Sequence, residues 1–373
     1  MQAQRIEALD GFRAIAVLGV LWAHIWMFLG NPPYVVFKIN IASYISFFGT
    51  GVDLFFVISG FCMYLMYITK VKSITFSNYL QYLKKRWLRI APAFYFAAFA
   101  YGIYQVDFVI SRFDWEYWLK LILFVINLQH EKTKYGPHFW SLGTEWHFYL
   151  LLPLIAVGVA RFFKVSIAII LSLCIALRLF FWVTPGDVFN VINYSVFNRL
   201  IEFIMGMVAA RLYFSNNREW YKASHRGILL GVLLAATGRI LMSSGFHLRT
   251  DALGVVARVF DLPLLSAGYA IIILNTLSYK SVLRSILETK FVSLIGKYSY
   301  SMYLWHWIIS LYLVKELNDL LSVPAFLKVN ILFVISLIVL LPISLTSYIL
   351  FERFYFLKKR DERGPIGEKE NSI

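Results

Sequence analysis

The sequence predicts an all-α polytopic membrane protein with about ten transmembrane helices and both termini in the cytoplasm. Of its 373 residues, 60% are hydrophobic and 18% are aromatic, and the mean hydropathy is +0.67. A soluble chain of this length cannot bury that much apolar surface. The apolar residues fall in runs of about 20, which is the length that crosses the hydrocarbon core. Basic residues cluster in the segments between alternate runs, as the positive-inside rule requires.

Ten segments have the length and composition of a membrane span. They are residues 10–30, 44–69, 90–107, 140–160, 165–183, 196–214, 227–245, 253–275, 291–314 and 327–350. Residues 116–128 are apolar but too short to cross, and that length suits an interfacial or re-entrant segment. If they did cross, several basic clusters would move outside, so charge favours ten spans.

The net charge of +15 follows from this topology rather than from nucleic-acid binding. Basic clusters at Lys70–Arg89 and in KKRDER from Lys358 lie on the predicted cytoplasmic side. The first span carries Arg13 and has no cleavage site, so we interpret it as a retained helix rather than a signal peptide. Cys62 and Cys174 lie inside apolar runs and are interpreted as packing residues.

We expect one integral membrane domain over residues 1–357 and a short basic and polar cytoplasmic tail over residues 358–373. The sequence contains no Gly-rich nucleotide loop and no internal repeat. Nothing in the sequence therefore suggests an ATP-driven pump, and nothing supports an inverted-repeat transporter.

The first span, GFRAIAVLGVLWAHIW from Gly11, carries Arg13 and His24 on one helix face. Eleven positions at 100° per residue amount to three turns plus about 20°, and the two Cα atoms lie roughly 16 Å apart along the axis. Arg13 then lies near the cytoplasmic surface and His24 in the outer half of the bilayer. Two simpler explanations stay open: Arg13 extends to the inner interface, and His24 bonds a neighbouring helix.

Ionisable residues in the other spans fall into two groups, and such residues are functional-site candidates by default. The group in the middle and outer bilayer comprises His24, Asp53, Glu145, Arg199, Glu202 and His306. The group at the cytoplasmic end comprises Arg13, Arg86 and Arg89. The couples Arg199/Glu202 and Arg258/Asp261 have i,i+3 spacing and can form ion pairs. A purely structural pair is an open alternative for the first couple and the preferred interpretation for the second.

Six blocks, taken in order, resemble the acyltransferase family 3 integral membrane acyltransferases. They are LDGFRAIAVLGVLWAH (Leu9–His24, with Arg-x10-His), GVDLFFVISGF (Gly51–Phe61), RWLRIAPAFY (Arg86–Tyr95), WSLGTEWHFYLLLP (Trp140–Pro153), RLIEFIMG (Arg199–Gly206) and LIGKYSYSMYLWHWII (Leu294–Ile309). FERF near Glu352 also fits. Each block alone is a weak signal, whereas six in the family order are a strong one.

The resemblance implies transfer of an acyl group, usually acetyl, from cytoplasmic acyl-CoA to a hydroxyl of an extracytoplasmic or membrane-associated acceptor. Acceptors in the family are often cell-surface glycans, and the expected location is the bacterial cytoplasmic (inner) membrane. Many members carry a C-terminal hydrolase-like domain. We expect none here, which favours a stand-alone transferase.

Chemistry and resemblance together suggest roles for the candidate residues. Arg13, Arg86 and Arg89 are expected to hold the phosphates of acyl-CoA, because Arg binds phosphate in bidentate fashion. His24 is the expected general base, oriented by Glu145 or, second, by Asp53. Acceptor binding is assigned to Trp140, Tyr149, Arg199, Glu202, Tyr303 and His306, and no metal is expected. Direct transfer is our hypothesis, while an acyl intermediate on His24 or Cys62 stays open.

Two other function classes also fit a polytopic chain with buried charges. A transporter or flippase for a lipid-linked or glycan substrate would use those charges along a transport path. A structural or regulatory membrane subunit would bind no acyl-CoA. Acyl-CoA-dependent modification of an acceptor distinguishes the transferase from both.

Overall fold

A computed structural model describes residues 6–36, 39–40, 46–66, 75–105, 114–128, 136–183, 193–215, 223–243, 246 and 249–354. These residues form twelve α-helices and two short strands, and the predicted tail over residues 358–373 lies outside them. The helices are α1 (Glu7–Phe28), α2 (Gly51–Met66), α3 (Phe76–Gln105), α4 (Trp115–Ile122), α5 (Trp140–Arg161), α6 (Phe163–Val183), α7 (Val196–Phe214), α8 (His225–Leu241), α9 (Ala252–Ser278), α10 (Val282–Leu287), α11 (Lys290–Leu317) and α12 (Ala325–Ser347).

Shorter elements connect these helices. Strands β1 (Val35–Val36) and β2 (Ile39–Asn40) pair antiparallel between α1 and α2. Short 3-10 turns cover Ser46–Thr50, Ile126–Leu128 and Pro137–Phe139, and a π-helical turn covers Tyr348–Glu352. The turn at Pro137–Phe139 leads directly into α5 and contributes to the candidate site.

Each of the ten predicted spans overlaps one of the long helices, which confirms the helical assignment. Among the described residues, six helices are long and apolar enough to cross a membrane: Glu7–Phe28, Phe47–Met66, Pro137–Arg161, Phe163–Phe180, Ala252–Ser278 and Ala325–Glu352. The other four long helices, α3, α7, α8 and α11, are not among these six. Compared with them they are shorter, carry more charged residues or contain more polar aromatic residues.

Two predicted boundaries differ from the observed ones. Helix α3 begins at Phe76, fourteen residues before the predicted span, because its first half is a polar helix that carries the Lys84–Arg89 cluster. The predicted short segment 116–128 is α-helical only as far as Ile122, in α4, which Asp114 caps by accepting from the Tyr117 amide at 3.0 Å. Phe124 has a left-handed φ of 58°, which ends this helical segment.

Close contact between helices depends on small residues at several crossings, two of which are described here. Gly296 of α11 lies directly against the backbone of Asp10 in α1, and a Cβ there would collide with it. Gly60 of α2 and Gly206 of α7 face the partner helix's backbone in the same way. Small residues at such crossings let the backbones approach, as is common in membrane bundles. The first crossing places α1 against α11, and therefore His24 near His306.

Helix α1 lies between α2 and α11; its arginine contacts α2 and its histidine contacts α11. Helices α6 and α12 lie at the outside of the bundle and expose apolar side chains such as Ile169, Leu173 and Ile338. The interior contains stacked aromatic rings, for example Phe148 on Phe203 with centroids 4.0 Å apart. Polar side chains are therefore concentrated inside the bundle.

Candidate active site

Two histidines from different helices form a hydrogen-bonded pair inside the bundle. His24 Nδ1 on α1 lies 3.0 Å from His306 Nε2 on α11, and His306 Nδ1 lies 2.6 Å from the carbonyl oxygen of Tyr303. His306 is fully buried, and Trp307 packs edge-on against His24 at 4.8 Å between centroids. The packing of α1 on α11 holds both rings in place.

The backbone carbonyl of Tyr303 determines where the protons lie in this pair. A carbonyl can only accept, so Nδ1 of His306 carries a proton. In the neutral ring Nε2 of His306 is then an acceptor, and it accepts from Nδ1–H of His24. A neutral His24 consequently has its lone pair on Nε2. This arrangement fixes the tautomer and orientation that a general base needs.

Sequence reasoning expected a carboxylate, Glu145 first and Asp53 second, to orient His24. The structure differs, because His306 fills that position. Glu145 accepts instead from Ser59 at 2.7 Å and Tyr149 at 2.5 Å, while Asp53 pairs with Arg199. Spacing along one chain could not reveal His306 as the partner, since α1 and α11 are 282 residues apart at the contact.

A third histidine, His138, lies beside the pair and escaped the sequence analysis. Its ring centroid is 4.9 Å from that of His306, and it stacks on Trp307 at 5.7 Å with 13° between planes. Only 3% of the residue is exposed. The one available signal was its position two residues before Trp140, at the start of a motif that was otherwise recognised.

Helix α5 carries three polar residues at i,i+4 spacing on one face: Ser141, Glu145 and Tyr149. Ser141 shares a 2.7 Å hydrogen bond with Tyr303, which in turn donates to the carbonyl of His138 at 2.7 Å. Two turns later, Tyr149 donates to Glu145. Four residues of helix rise about 6 Å, so this polar face extends over about 12 Å.

The other end of this polar face meets the basic residues of α3. The guanidinium of Arg86 lies 5.9 Å from the Tyr149 ring centroid and is itself 8% exposed. Arg89, one turn further, interacts electrostatically with Glu352, which accepts from Ser301 at 2.5 Å. Tyr300 donates to the carbonyl of Ile90 at 2.7 Å and joins α11 to α3. We call this set, from His138 through α5 to Arg86 and Arg89, the polar column.

Arg13, expected at the cytoplasmic entrance, lies on α1 against α2. Its Nη1 is 2.7 Å from Asp10 Oδ1, and its Nη2 donates to Cys62 Sγ at 3.2 Å. About 28% of the Arg13 side chain is exposed. This arginine is therefore neutralised by a carboxylate yet still reaches the surface of the protein.

Three further candidates belong to a buried ion network rather than to the histidine pair. Arg199 Nη1 lies 2.7 Å from Asp53 and 3.4 Å from Glu202, which confirms the predicted i,i+3 pair. The Trp140 ring covers the Arg199 guanidinium at 5.1 Å. These contacts join α2, α5 and α7, and they favour the structural alternative for the pair.

The same network contains an arginine that the sequence analysis missed. Asp261 of α9 pairs with Arg178 of α6, which also donates to Asn198 at 2.6 Å. Arg258, the expected i,i+3 partner of Asp261, donates to the carbonyl of Arg249 at 2.7 Å. Helix spacing indicates which residues share a face but not which neighbouring helix supplies a closer partner.

In the described part of the chain, no group of three or more His, Cys, Asp or Glu residues could hold a metal ion. Cys62 and Cys174 are both free thiols within the same part.

The structure is a helical membrane bundle that contains a hydrogen-bonded histidine pair, with His306 buried and His24 half-buried, and a polar column. A family model described as an acyltransferase domain matches residues 6–349, so the chain belongs to acyltransferase family 3. This confirms the resemblance stated above. Together with the six apolar helices, it makes the chain an integral membrane protein with the fold of an acyltransferase.

Curated relatives agree with this family. The chain is 25% identical over 331 residues to O-acetyltransferase OatA of Staphylococcus aureus, a match covering 81% of this chain and 50% of the relative. It is also 24% identical to the putative peptidoglycan O-acetyltransferase YrhL of Bacillus subtilis, a match that covers 81% of this chain and 48% of the relative. Peptidoglycan O-acetyltransferase OatA of Listeria monocytogenes is likewise 24% identical, and that match covers 81% of this chain and 49% of the relative. The chain thus spans about half the length of the curated relatives it matches. No solved structure matches it.

Proposed function

We propose that this protein transfers an acetyl group from cytoplasmic acetyl-CoA to a hydroxyl of a cell-surface glycan, with His24 as the general base. The observation that carries this proposal is the chain of hydrogen bonds from His24 Nδ1 through His306 to the Tyr303 carbonyl. It leaves Nε2 of His24 as the basic atom inside a membrane-embedded bundle. Family membership and the names of the relatives support the reaction class.

The polar column supports a route for the donor. Acyl-CoA carries phosphates at one end and a thioester at the end of a long flexible arm. Arg86 and Arg89 offer guanidinium groups to the phosphates at the α3 end. The polar face of α5 then leads about 12 Å towards the histidines. Arg13 joins these cations as a donor-binding residue in our proposal.

The reaction follows from the tautomer of His24. Nε2 of His24 takes the proton of the acceptor hydroxyl, and the resulting oxygen attacks the thioester carbonyl. Collapse of the tetrahedral intermediate breaks the carbon–sulfur bond, and the CoA thiolate recovers the proton from His24. The imidazolium formed on the way is stabilised by His306, whose Nε2 accepts from His24 Nδ1–H.

The acceptor is proposed from the relatives rather than from the site. Two of their names specify peptidoglycan, whose sugars carry free hydroxyls. Tyr303 lies at the histidine end of the polar column, Tyr149 at its Arg86 end and Trp140 over Arg199, and we retain all three aromatic residues as candidates for acceptor binding. Glu145 is proposed to act on the acceptor or donor through Tyr149 and Ser59 rather than on His24.

The topology is part of the proposal. Ten spans with both termini in the cytoplasm would place the Arg86 end inside and His24 towards the outside, in one domain over residues 1–357.

Cysteine introduced at Ser77, at the start of α3, should react with a membrane-impermeant maleimide only after the membrane is opened. Cysteine at Asn318, after α11, should react in intact cells. The reverse pattern would contradict the orientation. The background for both variants is Cys62→Ser/Cys174→Ser.

Transfer itself is tested with purified protein, acetyl-CoA labelled in the acetyl group, and solubilised peptidoglycan fragments. Wild type should place label on the fragments as an ester that mild base releases. His24→Ala should lose this activity while remaining folded. The matched control is His147→Ala, because His147 is a half-buried histidine of α5 that bonds Asn127 and lies outside the polar column. Full activity in the His24 variant would refute its role as the base.

A further inference from the structure

Helix α4 and the turn that follows it, residues 115–128, have one buried face and one apolar face that no other part of the chain covers. Trp118 and Leu121 are buried on the inner face. The side chains of the other face are apolar and 45–73% exposed: Trp115, Leu119, Ile122, Leu123 and Leu128. The first four have the spacing of a single helix face. The length of this segment allows either an interfacial or a re-entrant position, and its contacts distinguish the two.

The segment runs along α3 in the opposite direction and penetrates between membrane-spanning residues. The Trp118 ring lies against Gly102, where a Cβ would collide with it. Six residues later, the Phe124 ring stacks on Phe94 with centroids 4.9 Å apart. Gly102 and Phe94 are eight residues apart on one helix, a rise of about 12 Å. Both lie inside the third predicted span, so the segment descends well below the level at which it meets α3.

The chain then returns to the level at which it entered. His138 and Phe139, in the turn before α5, pack on Tyr101 with centroids 5.5 and 5.2 Å apart. Tyr101 precedes Gly102 in α3, so entry and return lie at the same height. A segment that crossed the bilayer would instead leave α3 near its other end. Of the described contacts with α3, those of Phe124 are the deepest.

The polar groups of the segment are satisfied in a way that suits hydrocarbon surroundings. Irregular backbone at membrane depth needs partners within the protein. The Val125 amide donates to the carbonyl of Lys120 at 2.9 Å, and the carbonyl of Ile122 accepts from the Tyr95 hydroxyl at 2.8 Å. The two charged side chains of the segment, Glu116 and Lys120, pair with each other at 2.6 Å in its entry half. Its deeper half carries no charge.

We propose that residues 115–128 form a re-entrant segment inserted into one leaflet, and that lipid acyl chains cover its apolar face. The segment enters from the side nearer the histidine pair, which is extracytoplasmic in the ten-span topology. Its tip also packs inward: the Phe124 ring stacks between Phe94 of α3 and Trp146 of α5, at 4.9 and 5.3 Å between centroids. The inserted tip thereby fills the space between two helices of the polar column.

The test measures depth with nitroxide spin labels on single cysteines in the cysteine-free background, reconstituted in liposomes. Trp115→Cys, Leu119→Cys and Leu123→Cys place the labels on exposed sites along the segment. Collisions with oxygen, which concentrates in hydrocarbon, are compared with collisions with a water-soluble nickel chelate. The ratio should rise from position 115 to position 123 and there approach that of Ile338→Cys, on the exposed side of α12. Equally low ratios at all three positions would show a surface helix and overturn the proposal.

A second measurement uses charge instead of a label. Leu123→Asp places a carboxylate where lipid chains are proposed to lie, and a charge in hydrocarbon is costly. This variant should unfold at a lower Tm than wild type in lipid nanodiscs. Trp115→Asp is the matched control, because that side chain is also exposed but lies at the entry, and it should keep the wild-type Tm. Equal Tm values in the two variants would also overturn insertion. Neither measurement depends on acyl transfer, so the proposed function is tested separately.

Discussion

Replacing His306 removes the group that orients the proposed base while leaving the base itself in place. In His306→Phe, the Nδ1–H of His24 loses the acceptor that lies 3.0 Å away, and the ring keeps only its hydrogen bond to the backbone of Val20. His306→Gln offers a carbonyl oxygen that can accept the same proton. The two variants therefore separate loss of the hydrogen bond from loss of the histidine.

The expected size of the effect follows from the charge that develops on His24. When His24 takes a proton, its bond to His306 becomes a hydrogen bond to a charged group, which contributes about 1.5–3 kcal/mol. Loss of about 2–3 kcal/mol from the transition state lowers kcat about 30- to 150-fold. The Gln variant should keep part of this contribution and fall by about tenfold or less.

The assay is acetyl transfer to peptidoglycan fragments at saturating acetyl-CoA, with KM measured in parallel. The matched control is Ser310→Ala, one turn further along α11, because the Ser310 hydroxyl is buried and makes no hydrogen bond within the described residues. That variant should keep wild-type kcat. An unchanged kcat in folded His306→Phe would refute the orienting role, and so would a change confined to KM.

Three other predictions concern the fold. Gly206→Val should abolish recovery of monodisperse protein in fluorescence-detected size exclusion, and Gly206→Ala should reduce it, since a Cβ there collides with the backbone of α2. Arg199→Met should lower the free energy of unfolding by about 3–5 kcal/mol, because two buried carboxylates lose their cation. Adding Asp53→Asn and Glu202→Gln to this variant should restore stability. A triple variant that is no more stable than Arg199→Met would contradict the ion network. The guanidinium of Arg249 and the backbone N–H of Gly254, in the first turn of α9, donate hydrogen bonds to Asp251. These bonds lower the pKa of the Asp251 carboxyl from 3.8 to about 2. Since this folded-state pKa lies below the ordinary value, Asp251→Asn should lower Tm at pH 7, and the difference should vanish as the pH falls from about 4 to about 2.

The helices themselves were predictable because apolar runs of membrane length leave few alternatives. All ten predicted spans contain helices, and Arg199 with Glu202 pairs as the i,i+3 spacing indicated. The start of α3 was missed because hydropathy measures apolar character and not helicity. The basic cluster at Lys84–Arg89 is helical yet too polar to resemble a span.

The sequence alone could not predict contacts between helices that are distant along the chain. His24 and His306 were both candidates, but only the packing of α1 on α11 makes one the partner of the other. The same applies to Arg178, which competes with Arg258 for Asp261 from another helix. His138 was missed for a different reason: only the packing of its ring against His306 and Trp307 places it beside the histidine pair.

The most direct test of the central claim combines acetyl-CoA binding and transfer on the same purified samples. Wild type, His24→Ala and Arg86→Ala/Arg89→Ala are compared, with His147→Ala as the control. We expect wild type to bind and transfer, the arginine variant to lose most of its affinity, and the His24 variant to bind with near wild-type affinity but transfer nothing. Folded wild type that binds no acetyl-CoA, or a His24 variant that still transfers, would contradict the account.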